Sequence, residues 1–213
     1  MGLPKIAAYD LPREDDIPAS RVSWTPDPKR AALLIHDLQN YFVDAFTPGA
    51  APIVPAMANI NALRARCDAL GIPVFYSAQP GYQDPRDRGL QSDIWGPGMG
   101  SDPAHQGIHA DVAPGEGHIV LTKWRYSAFQ RTNLEPNLHA RGRDQLIITG
   151  VYAHIGCMLT AADGFMRDIR PFFVADALAD FSRERHDGAV AYVADRCGRA
   201  LSTATLLREL GEA

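Results

Sequence analysis

The chain has 213 residues, 46% of them hydrophobic and 22% charged, with a net charge of -4. This is an ordinary globular composition, long enough for one domain that buries roughly 70% of its extended surface. The charge balance argues against nucleic acid or an anionic membrane as partner. No apolar run approaches the ~20 residues of a membrane span. The start, MGLPKIAAYDLPRED, lacks the apolar core of a signal peptide. Cys67, Cys157 and Cys197 are widely spaced and form no CxxC pair or zinc spacing. They read as reduced thiols of a cytoplasmic protein.

Residues 1–28 are rich in Pro and charge, with Tyr9, Leu11 and Trp24 as apolar anchors, and predict an extended arm lying on the domain. AALLIHD (31–37) is a short apolar run, suited to a strand buried on both faces. Ile53, Met57, Ile60, Leu63, Cys67 and Leu70 recur at three and four and predict a helix that Gly71 ends. IPVFYSAQ (72–79) is the next strand. A long Gly-, Pro- and Asp-rich stretch follows (80–117), and a loop that long is usually functional. HIVLTKWR (118–125) predicts strand three, 134–141 a helix, and QLIITGV (145–151) strand four. A helix over 154–167 leads to PFFVADAL (171–178), strand five, and a helix over 183–197. ALSTATLLREL predicts a short strand and a last helix with Thr203 as cap. There are no repeats and no evident second domain. Strands alternating with helices predict a three-layer α/β/α fold, with about six mostly parallel strands and helices on both faces.

In such folds ligands sit beyond the carboxyl ends of the strands. Asp37, Gln79, Lys123 and the turn after Gly150 lie at such ends. Asp37 is either a cap or turn residue, or a carboxyl in a dry pocket whose pKa desolvation raises until it donates protons near neutrality. His36 should point to the opposite face, as a structural residue. Lys123 either ends a strand in solvent or pairs with Asp37 across strand ends, since an unpaired buried ammonium is costly. Arg125 is expected to pair with an acidic group, and Tyr126 and Phe129 to wall a pocket. Gln79, Arg88 and Trp95 resemble a lid, with Arg88 suited to a carboxylate. Cys157 opens a helix, where thiols can be activated, yet a free Cys is more often a small buried hydrophobe.

LLIHDLQNYF, YSAQP, WGPGM, LTKWRYSAF, GRDQLIITGVYAHIGCMLTAADGFMRDI and FFVADALADFSRERH resemble the isochorismatase family over nearly the whole chain. The likeness is strongest to the isochorismatase domain of enterobactin-type 2,3-dihydroxybenzoate synthesis and to phenazine-pathway aminodeoxyisochorismate hydrolases. In the wider superfamily, nicotinamidase-type hydrolases use an Asp–Lys–Cys triad. Their cysteine aligns with Gly156, and Cys157 lies one residue later, ~100° around a helix. The resemblance therefore implies that Asp37 and Lys123 are retained as catalytic residues while the nucleophile is absent. It implies substrate binding by Gln79, Arg88, Tyr126, Tyr152 and the backbone of Gly156, with Trp95 and Phe42 walling the pocket. It also implies a cis peptide at Val151–Tyr152, and neither metal nor organic cofactor.

The implied reaction is hydrolysis of the vinyl ether of isochorismate, or of 2-amino-2-deoxyisochorismate, without a covalent intermediate. The carrier-fused relatives add an aryl carrier domain. This sequence lacks the carrier's Ser attachment motif, so a single isochorismatase-like domain over 1–213 is expected, with a separate carrier protein as a partner to consider. The family is commonly dimeric, and the helices over 154–198 are the expected interface. Two rival expectations remain: a Cys157 amidohydrolase, and a non-catalytic carrier-docking subunit.

Overall fold

The computed structural model describes residues 3–211. Six strands, β1 (Ala31–His36), β2 (Val74–Ala78), β3 (Ile119–Thr122), β4 (Gln145–Val151), β5 (Arg170–Ala179) and β6 (Arg199–Leu201), pair in parallel in the order β3-β2-β1-β4-β5-β6. The helices are α1 (Asn40–Val43), α2 (Ile53–Ala69), α3 (Pro85–Arg88), α4 (Gln91–Trp95), α5 (Pro103–Gln106), α6 (Leu134–Ala140), α7 (Met158–Phe165), α8 (Arg183–Arg196) and α9 (Thr203–Leu210). Every residue of β1 and β4 is buried. Apolar side chains therefore alternate between two cores rather than between core and water. Leu33, Ile35, Ile147 and Phe172 pack with Met57, Ile60 and Leu63 of α2 and Leu206 of α9. Leu34, Ile148 and Phe173 pack on the other face with Leu138 of α6, Ala161 of α7 and Val190 of α8. The expected three-layer α/β/α fold is the one observed.

Strands two and three are shorter than their apolar runs, and β3 stops at Thr122, so Lys123 lies one residue beyond its strand. The cap of α9 is Ser202, not Thr203: the Ser202 hydroxyl accepts the Thr205 N–H at 3.1 Å, and Thr203 is the first helical residue. The stretch 80–117 is not a bare loop. Asp84 and Asp102 precede Pro85 and Pro103, and each carboxylate accepts the N–H two residues on, at 2.8 and 2.9 Å. An acidic cap followed by Pro starts α3 and α5 in this way.

The arm is extended, apart from one 3-10 turn at Glu14–Asp16, and it straps the carboxyl-terminal third of the sheet. The Tyr9 hydroxyl accepts the Asp180 N–H at 2.7 Å and lies 3.0 Å from His186 Nδ1. The Glu14 carboxylate accepts the hydroxyls of Ser202 and Thr205, and Ser20 Oγ accepts the Ala200 N–H at 2.9 Å. The buried apolar anchor is Ile6, which bridges to Phe46, rather than the half-buried Leu11 and Trp24. Asp180 is fully buried, so removing its amide's acceptor strands a donor. Tyr9→Phe is expected to cost about 1–3 kcal/mol. Urea unfolding should show a lower midpoint at unchanged slope.

Candidate active site

Strand order reverses between β1 and β4, and the crevice at their carboxyl ends is where an open α/β sheet binds ligands. A cavity opens there, with about 590 Å³ of space when its open mouth is included. Asp37 is its floor. It follows β1 with φ 51°, a left-handed conformation that Asp tolerates better than most residues. Its carboxylate is 5% exposed. Lys123 Nζ donates to Oδ2 at 2.7 Å, Gln79 Nε2 to the same oxygen at 3.3 Å, and Ser77 Oγ to Oδ1 at 2.6 Å. Lys123 is 1% exposed, so the expected pair across strand ends is present and dry.

The carboxyl's acidity differs from the sequence expectation. Burial does push the Asp37 pKa up, but the Lys123 ammonium and the Ser77 hydroxyl outweigh it, and the pKa lies below the ordinary carboxylate value. Asp37 is therefore an ion-paired carboxylate. The apolar run of β1 shows the dryness of the site but not the cation that arrives from β3.

The walls come from four segments. Phe42 and Tyr41 stand on α1, Trp95 on α4, Tyr126 after β3, and Tyr152 and Gly156 after β4. Trp95 Nε1 donates to the Tyr126 hydroxyl at 2.6 Å, and the Tyr152 hydroxyl donates to the Phe42 carbonyl at 3.0 Å. The Arg88 guanidinium lines the cavity at 5% residue exposure. Its Nε donates to the Gly96 carbonyl at 2.6 Å, and no carboxylate among the described residues pairs with it. Burial pulls its pKa down from the guanidinium norm. A buried cation without an anion is costly, and it favours an anionic ligand that completes it.

Asp37, Lys123, Gln79, Arg88, Tyr126, Tyr152, Gly156, Trp95 and Phe42 thus meet around one cavity. Three other candidates lie elsewhere. Arg125 donates to the carbonyls of Asp87 and Trp124, at 2.7 and 2.8 Å, rather than to an acidic group. Phe129 belongs to the core on the other sheet face, under α7. Cys157 is fully buried in that same core, 3.9 Å from the Thr149 carbonyl, and burial raises its thiol pKa well above normal. The Val151–Tyr152 peptide is cis, as expected. Gln39 was not anticipated. It is 1% exposed, accepts the Gln79 N–H at 2.7 Å, and donates to the carbonyls of Gln79 and Gln106 at 2.9 and 2.8 Å. It pins the long segment to the floor. Ser77 was also missed, although it stands two residues before Gln79. Phe181, its ring tilted 44° to that of Tyr152 at a centroid distance of 4.4 Å, belongs to the wall as well.

Comparison with known proteins matches the isochorismatase domain model to residues 31–205. This chain belongs to the isochorismatase family. An isochorismatase of Bacillus subtilis is 55% identical over all of this chain and 68% of its own length. Enterobactin synthase component B of Escherichia coli is 53% identical, over 97% of this chain and 73% of its own. The phenazine biosynthesis protein PhzD of Pseudomonas fluorescens is 45% identical, over 95% of this chain and 97% of its own. Among the described residues, no helix is long and apolar enough to cross a membrane.

Removing one partner of the buried pair leaves the other charge uncompensated. Lys123→Met is expected to cost about 3–5 kcal/mol, and Asp37→Asn/Lys123→Met less than that single change. Because the Asp37 pKa is depressed, its stabilisation is complete above the unfolded carboxylate pKa and is lost as pH falls through the folded value. Wild type should therefore lose stability toward acid more steeply than Asp37→Asn, as measured by urea titration at stepped pH.

Proposed function

We propose that this protein hydrolyses the enol-pyruvyl ether of isochorismate, giving pyruvate and 2,3-dihydro-2,3-dihydroxybenzoate. One observation carries the reading. The cavity floor holds a carboxyl that can move a proton, and among the described residues the wall holds no thiol or aliphatic hydroxyl that could attack. A vinyl ether needs such an acid: protonation of its methylene carbon creates an oxocarbenium that water captures. Asp37 gives the proton to that carbon, and Lys123 stabilises the carboxylate that remains. Water adds to the cation and returns a proton to Asp37, and the hemiketal collapses to the two products. Arg88 takes a substrate carboxylate, and Gln79, Tyr126 and Tyr152 orient the ring.

The depressed pKa of Asp37 fits this cycle once the substrate's charges are counted. Isochorismate carries two carboxylates into a nearly dry cavity, and like charge raises a carboxyl pKa. Substrate binding therefore loads the proton that the reaction spends. The 55% and 53% relatives favour isochorismate over 2-amino-2-deoxyisochorismate, the substrate that the PhzD likeness supports as alternative. The two substrates differ by one OH against one NH₂, and a pocket rarely rejects so near an isostere strongly, so turnover of both accompanies this reading. The exposed Leu159 and Phe165 of α7, Met166 just beyond it and Tyr192 of α8 support a homodimer through this face. A free-standing aryl carrier protein is the partner proposed for the product's later use.

Pyruvate release, coupled to lactate dehydrogenase, tests the reading. Wild type and Cys157→Ala should turn over isochorismate, and Asp37→Asn should lose about 10²–10⁴-fold in kcat. No pyruvate from wild type with either substrate would remove the assignment. Since kcat/KM reports the free enzyme, it should rise toward acid as Asp37 takes up its proton, while the corresponding limb of kcat lies at higher pH. A kcat/KM that is flat below neutrality would exclude Asp37 as the acid.

A further inference from the structure

The buried His36 has no part in the chemistry above. Its Nδ1 lies 3.2 Å from the Val151 carbonyl and 3.6 Å from Asp37 Oδ2, and its Nε2 lies 3.1 Å from Thr160 Oγ1. Thr160 Oγ1 already accepts the Ala128 N–H at 2.9 Å. The Val151 carbonyl can only accept, so Nδ1 carries the proton of a neutral ring and Nε2 accepts from the Thr160 hydroxyl. Burial lowers the His36 pKa to about 4, in keeping with that proton arrangement. The ring ties together the end of β1, the end of β4, the first turn of α7 and the segment after Lys123.

It also fills space. A Cβ added to Gly156 would meet His36 Cε1 at 2.3 Å, Nδ1 at 3.0 Å and Nε2 at 3.2 Å. The obstacle is a rigid ring held at both nitrogens, so it cannot swing aside as the end of a flexible chain would. The volume the ring occupies abuts Asp37, and the Gly156 backbone lines the cavity.

We infer that His36 is a specificity-determining positioning residue: its ring holds position 156 to glycine and so keeps a side-chain nucleophile from standing beside the Asp37–Lys123 pair. Changing position 156 alone is then insufficient to install a nucleophile, because the ring must leave as well. The inference rests on the cavity being the reaction site. Its readouts need no turnover, so a failed substrate assignment and a failed role for His36 give different results.

The first test compares thermal unfolding of Gly156→Ala, His36→Val, and the two combined. The double variant should melt above Gly156→Ala, although it carries a second core change. Additive losses, or a Gly156→Ala that melts like wild type, would overturn the inference. The second test alkylates Gly156→Cys and His36→Val/Gly156→Cys with iodoacetamide, with peptide mapping. The native thiols are buried, at 0%, 0% and 6% exposure for Cys67, Cys157 and Cys197. The folded double variant should take label at position 156, about tenfold or more faster than the folded single variant. There the thiolate sulfur displaces iodide and its proton leaves to solvent. If the single variant unfolds, all its thiols should label together while the double labels at one. Equal labelling of both variants at position 156, or a double variant that takes no label there or fails to fold, would sink the idea.

Discussion

A carboxylate and an ammonium 2.7 Å apart, each nearly out of water, constrain everything around them. Either charge alone in that place would be costly, so the ends of β1 and β3 must be delivered together. The strand between them cannot be neutral filler. It supplies Ser77 and, one residue past its end, Gln79, and each donates a further hydrogen bond to the carboxylate. Gln39 then binds the Gln79 backbone to the long segment, which brings Arg88 and Trp95 over the floor. The order β3-β2-β1 is thus a requirement of the site as much as of the sheet.

Much of this was legible in the residues. Short apolar runs and one helical repeat were enough for six strands with helices on both faces, because the central strands β1 and β4 are buried throughout and read as unbroken apolar runs, whereas the edge strand β3 is only partly buried. The strand-end rule found Asp37, Gln79 and Lys123. What the sequence hid was pairing across distance. Arg125 looked like half of a salt bridge, but the Asp87 and Trp124 carbonyls took its donors. Phe129 looked like a wall, but it went under α7. The acidity of Asp37 was misjudged because desolvation is visible in a local run, whereas the sign of the net shift depends on a cation 86 residues away. Ser202 as cap was missed by one residue, the usual error of boundaries.

The turn after β4 decides the chemistry by omission. Gly150, at φ 105°, lets β4 run against β1 where a Cβ would come 2.2 Å from the His36 carbonyl oxygen. Gly156 then presents bare backbone to the cavity, and the neighbouring thiol is turned into the opposite core. In the proposed reaction, what stands beside that turn is the Asp37–Lys123 pair, with Asp37 as the proton donor. The substrate bond is matched to that: an enol ether is activated by protonation at carbon and gains nothing from an attacking thiolate.

The strap formed by the arm has a consequence for how the protein comes to exist. Leu3 lines the cavity, and Tyr9, Glu14 and Ser20 bind partners 171 to 191 residues later. This early segment must wait for residues 180–205 before it can dock. Contacts of such separation form late, because loop closure must be paid for before they are rewarded. A nascent chain can therefore build β1 to β4 and bring Asp37 to Lys123 while the pocket still lacks a wall. The cavity gains its Leu3 wall only when these two segments meet, so a nascent chain carries the charged pair before its enclosure is complete.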